Sequence, residues 1–74
     1  MGKYTHQKSK EYYESFYGKK IQIFKKNGVV MDGIIQKVRI LEEDGFNLYV
    51  YLSDRAKNLL KVPHEEIDRV EAKL

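Results

Sequence analysis

His64 is followed directly by Glu65 and Glu66, the one point in the chain where an imidazole and carboxylates are neighbours in sequence. Such groups relay protons only when the ring is fixed and water is excluded. These three follow Pro63 in a polar stretch, where a His-Glu-Glu trio is a solvated turn. Ser9, Ser15 and Ser53 lack the strand-to-helix elbow that exposes a nucleophile, and the glycines are too isolated to form a phosphate cradle. The chain has no cysteine and only two histidines, His6 and His64. Disulfides and thiolate zinc sites are therefore excluded, and any metal would have to lean on carboxylates. The expectation is a protein that is not an enzyme, with no cofactor, no metal and no small-molecule substrate.

Binding chemistry is better represented. Residues 1–26 carry seven lysines against Glu11 and Glu14, whereas residues 27–74 carry seven basic side chains against nine acidic ones. A positive face on the amino-terminal third suits a polyanion. Its bland counterpart is a solvated lysine surface, because the net charge is only +3. Within residues 5–17 the pattern predicts an amphipathic helix, with Thr5 as N-cap and Gly18 ending it. Tyr12 with Phe16, and Tyr13 with Tyr17, fall at i,i+4 spacing and form an aromatic stripe, expected to pack on the core. Lys8, Lys10, Glu11 and Glu14 face elsewhere, mostly to water.

The elements that follow read as strands. Ile21 and Ile23 alternate with Gln22 and Phe24, the period of two of a half-buried strand. Asn27-Gly28 predicts a two-residue hairpin turn with positive φ angles. Gly33 marks a bend inside a long second strand. The expected strands are about 19–26, 29–41, 46–53, 58–62 and 67–71, with an acidic loop Glu42-Glu43-Asp44-Gly45 and one tight helical turn after Pro63. In the third strand Leu48, Val50 and Leu52 share one face, and Asn47, Tyr49 and Tyr51 the other. The fold class is mainly β: one domain over 1–74, its helix at about 5–17 leading into a small, strongly bent five-stranded antiparallel barrel at about 19–71 that the last strand closes.

A chain of 74 residues buries little surface, so self-association is the expected source of added stability. No apolar run approaches the ~20 residues of a membrane span. The expectation is a soluble, cytoplasmic protein with no membrane partner.

A helix ending in Phe16-Tyr17-Gly18-Lys19-Lys20, followed by Ile21-x-Ile23, Lys26-Asn27-Gly28, Gly33-Ile34-Ile35 and Asn47-Leu48-x-Val50, resembles the Sm and Sm-like proteins, including bacterial Hfq. The resemblance spans nearly the whole chain. It implies a helix capping a bent five-stranded barrel, and protomers joined through their fourth and fifth strands into homo-oligomeric rings of about five to seven. It also implies a single-stranded RNA partner. The family's turn glycine, strand glycine and pocket asparagine map to Gly28, Gly33 and Asn47.

Two departures stand out. The connection from Gly33 to Asn47 is longer than the usual spacing and carries Glu42, Glu43 and Asp44, which repel phosphate. The second motif, Arg-Gly or the Lys-His of Hfq, is here Pro63-His64, so the cation is lost while His64 keeps its stacking and hydrogen-bonding capacity. The implied RNA contacts are Phe46 by stacking, Asn47 on a base edge, His64 with Lys61 at the opposite loop, and Lys8 and Lys10 on phosphates. The plain alternatives are Phe46 as a core anchor, Asn47 as a turn former and Lys61 as a solvated strand residue. A second class of function is a small interaction or scaffold barrel resembling the PRC-barrel domains, with no nucleic-acid role and with Tyr49 and Tyr51 marking a protein interface. Duplex DNA binding lacks a recognition helix.

Overall fold

Alternating burial is what builds the sheet. Ile21 and Ile23 are fully buried while Gln22 and Phe24 are only partly so, and Leu48, Val50 and Leu52 are buried between half-exposed Tyr49 and Tyr51. The computed structural model describes residues 7–73. They form a helix α1 (Gln7–Glu14) and strands β1 (Lys20–Lys25), β2 (Val30–Leu41), β3 (Asn47–Ser53), β4 (Leu59–Pro63) and β5 (Ile67–Ala72). All neighbouring strands are antiparallel, in the order β4-β3-β2-β1-β5. Side chains from every strand meet in one cluster with Tyr13 of the helix. Each fully buried isoleucine, leucine or valine there contributes about 1.5–3 kcal/mol relative to exposure.

The long second strand serves both halves of the sheet. Residues 30–34 of β2 pair with β1 and residues 34–41 with β3, so Ile34 faces both Lys20 and Ser53. A register shift between Ile35 and Lys37 leaves Gln36 as the bulged residue. Gly33 sits where β3 ends against β2: a Cβ there would collide with the backbone carbonyl oxygen of Ser53 and crowd the Leu52 side chain. The bend therefore needs a residue without a side chain at this point, as the sequence suggested.

Four expectations are corrected. The sheet does not close into a complete barrel. The chain leaves β4 through a 3-10 turn, His64–Glu66, which delivers it at once to the edge of β1, where Lys26 N–H donates to the Glu66 carbonyl at 2.9 Å. That handover pairs β5 with β1 and leaves the outer edges of β4 and β5 unpaired among the described residues. The β1–β2 connection has four residues, Lys26-Asn27-Gly28-Val29, in which Gly28 alone has a positive φ, of 91°, and the Asn27 side chain accepts from Val29 N–H. The helix ends at Glu14, because the Ser15 hydroxyl turns back to the Tyr12 carbonyl and the chain tightens into turns at Phe16 and Tyr17. Tyr17 consequently leaves the expected stripe and is exposed, although Tyr12 and Phe16 do meet edge to face at 5.3 Å. Thr5, the expected N-cap, lies outside the described residues.

Candidate nucleic-acid interface

The chain enters β3 through an unusual piece of backbone. After the 3-10 turn Glu42–Asp44, Gly45 and Phe46 both adopt the left-handed conformation, with φ of 70° and 62°. Glycine accepts that geometry without strain, whereas a phenylalanine does so only when its surroundings hold it. Here the hold is double: Gly45 N–H donates to the Glu42 carbonyl and Phe46 N–H to the Leu41 carbonyl, each at 3.0 Å. Phe46 is thereby turned outward and is exposed; it is not a core anchor. Asn47, the next residue, opens β3 opposite Leu41 and is exposed as well.

Pro63 ends β4 opposite Tyr49 and passes the chain into the turn that carries His64. This brings Asn47 and His64 into a common crevice of about 30 Å³, completed by Leu48, Pro63 and Glu65. It has room for one water-sized polar group, such as a functional group on the edge of a base. The imidazole is fixed from behind, because the Tyr13 hydroxyl lies 2.6 Å from His64 Nδ1 and the two rings pack edge to face. Burial, with Tyr12 next, pushes the Tyr13 phenol up to about 12. Tyr13 thus stays protonated across the physiological range and can donate to Nδ1 of a neutral imidazole, the tautomer in which the ring proton sits on Nε2.

The electrostatics of the crevice do not favour phosphate. Lys61 Nζ lies 4.3 Å from the centre of the Tyr49 ring and 3.9 Å from the Asp44 carboxylate, so its charge is already engaged. Burial, and after it the Asp44 carboxylate, raise the Tyr49 phenol above its ordinary value, while the Asn47 amide acts in the opposite sense. Asp44 pairs with Lys61 and Glu65 lines the crevice, an arrangement suited to donors rather than to phosphate.

Behind His64 a second hollow, of about 390 Å³, runs between the helix and β5, and Lys8, Ser9, Tyr12 and Arg69 contribute to its walls. Lys8 therefore shares a wall with His64. Lys10 does not join them: it donates to Glu14 at 2.6 Å, and that bond raises its ammonium above its ordinary value. Of the six sequence-derived residues, Asn47 and His64 line one crevice, Phe46 directly precedes Asn47, Lys61 is held by Tyr49 and Asp44, Lys8 lines the hollow behind His64, and Lys10 is bonded to Glu14. Sequence reading missed Tyr13 as the support of His64, because 51 residues separate the two and a tyrosine on an apolar helix face reads only as core. Among the described residues, no three His, Cys, Asp or Glu side chains gather as a metal site, and no helix is long and apolar enough to cross a membrane. Compared with known protein families, curated proteins and solved structures, the chain shows no match.

Proposed function

We propose that this chain is an Sm-like RNA-binding protein of the Hfq kind, which assembles into a homo-oligomeric ring in the cytoplasm and holds single-stranded RNA without chemistry. The observation that carries the reading is the position of the two open edges. β4 and β5 stand at opposite ends of the sheet order, and these are the strands through which the resemblance implies that protomers join. Pairing the β4 edge of one copy with the β5 edge of the next would satisfy both rows of backbone groups and repeat the Asn47–His64 crevice around the assembly. Weak single contacts would then add through effective concentration.

Native mass spectrometry at low micromolar concentration tests the assembly: a closed species of about five to seven copies is expected, and a monomer or simple dimer overturns the ring. Oligo-uridine and oligo-adenosine titrations at several salt concentrations test the ligand. Affinity that falls with salt is expected, and His64→Ala should weaken it about tenfold with the native mass unchanged. The acidic residues flanking the crevice favour a second reading, a PRC-barrel-like interaction module. Salt-independent failure to bind any oligonucleotide would move the assignment there.

A further inference from the structure

The Asn47–His64 crevice lies at one end of β3; a groove of about 1050 Å³ opens at the other. Four cations line it, Lys20, Arg55, Lys57 and Lys73, against the two carboxylates of Asp32 and Asp54. The carboxylates are spoken for. Asp32 Oδ2 lies 3.0 Å from Lys73 Nζ and 4.0 Å from an Arg55 nitrogen, and the Lys73 bond, then that of Gln22, lowers its carboxyl below the ordinary value. Asp54 accepts from the Asn58 backbone N–H at 2.8 Å. Lys20 and Lys57 have no ion-pair partner among the described residues, so the groove keeps a positive excess. Half-buried Ile34 and Leu59, which is 54% exposed, give it an apolar lining, and Gln36 and Ser53 add polar groups between them.

Lys57 supplies a second, independent indication. It occupies the left-handed position of the β3–β4 hairpin loop, with φ of 65°, while its N–H donates to the Asp54 carbonyl at 2.9 Å. Glycine fills such a position without strain, whereas a long cationic side chain there costs backbone free energy. A lysine held in strain at the rim of a positively charged groove points to a role for its charge.

We propose that this groove binds a nucleoside phosphate, with the phosphate held by Lys57 and Lys20 and the base laid on Ile34 and Leu59. Inorganic phosphate would use the cations and leave the apolar lining empty; a nucleotide uses both, and the groove has volume to spare for one. The shared chemistry allows two sources, a free nucleotide or a nucleotide within an RNA strand. The site depends neither on ring closure nor on the Asn47–His64 crevice.

The test is an amide-shift titration of the ¹⁵N-labelled full chain with adenosine monophosphate, adenosine and inorganic phosphate in parallel. Saturable shifts at Gly33, Gln36, Ser53 and Lys57 are expected with the nucleotide, and binding at least about tenfold weaker with adenosine or phosphate alone. Lys57→Gly should weaken the nucleotide about tenfold while the melting temperature holds or rises by up to about 5 °C, and Lys57→Arg should stay within about threefold of wild type. Absence of saturation, equal affinity for inorganic phosphate, or an unchanged Lys57→Gly affinity would each overturn the proposal. Displacement of the bound nucleotide by oligo-adenosine assigns the groove to RNA and its failure assigns it to free nucleotide; the site stands in both cases, even if the crevice binds no RNA.

Discussion

Two non-glycine residues adopt the left-handed conformation among those described, and they flank the same strand. Phe46 immediately precedes β3, and Lys57 lies in the loop that follows it. The two ends differ in every other respect. At Phe46 the chain arrives from the acidic turn Glu42–Asp44 and leads into a tight crevice of about 30 Å³ whose lining includes Glu65. At Lys57 the surroundings are basic and wide. Backbone strain thus turns an aromatic ring outward at one end and holds a cation in the lining of the wide groove at the other. One central strand, buried through Leu48, Val50 and Leu52, holds both ends rigidly enough to keep the strain.

The most severe way to break this arrangement is at the bend that seats the far end of β3. Gly33→Val drives a side chain into the Ser53 carbonyl, an atom that cannot rotate away. A loss of about 3 kcal/mol or more in urea unfolding is expected, with the Lys57 end disordered first. A variant as stable as wild type would mean that β2 and β3 separate there without penalty.

Phe46→Gly asks whether the two strained residues are equivalent. Relief of the left-handed strain offsets the lost ring contacts, so stability should stay within about 1 kcal/mol of wild type, whereas RNA affinity should fall about tenfold with loss of stacking. Lys57→Gly relieves the same strain with less packing to lose, and so should be the more stable of the two. If Phe46→Gly binds RNA normally, the outward ring at this end has no stacking role.

The strands were legible because alternation is a local signal: Ile21 and Ile23, or Leu48, Val50 and Leu52, reveal their buried face within a few residues. Gly33 was legible for the same reason, as the one residue in β2 without a side chain. Gln36 was not, since nothing in its type distinguishes a bulge from a regular strand position. The early helix end was hidden because Ser15 acts through a bond back to Tyr12, which competes with helix propagation only once the turn forms. Asn47 and His64 were found through the family pattern, but their contact depends on how β3 and the turn after β4 come together, and the Tyr13 support on pairing across 51 residues. Lys57 was not legible, because lysine is not a residue that announces a left-handed turn.

The Tyr13 support has its own pH signature. An unfolded tyrosine ionises near 10 and the folded Tyr13 near 12, so the folded state disfavours the tyrosinate. The associated stability is complete below pH 10 and is lost as pH rises towards 12, by at most about 2 kcal/mol. Tyr13→Phe removes the titrating group together with the bond to His64. It should be about 1 kcal/mol less stable than wild type at pH 7, and that gap should close and then reverse between pH 10 and 12 in parallel denaturation series. A constant gap would mean that the phenol ionises as readily in the folded protein as in the unfolded chain.

The smallest effect is expected on the helix, and it separates Lys8 from Lys10. Lys8 shares the hollow behind His64, while Lys10 is bonded to Glu14. Reversing Lys10 places two glutamates at i,i+4 spacing and costs a few tenths of a kcal/mol of stability, about what such helix pairs are worth. It should leave RNA affinity almost unchanged. Reversing Lys8 should lower affinity about threefold and reduce the magnitude of the salt slope by about one, as the loss of a single phosphate contact predicts. Equal effects of the two substitutions would show that the helix attracts RNA through its general charge, and the asymmetry between the two ends of β3 would then carry all the specificity.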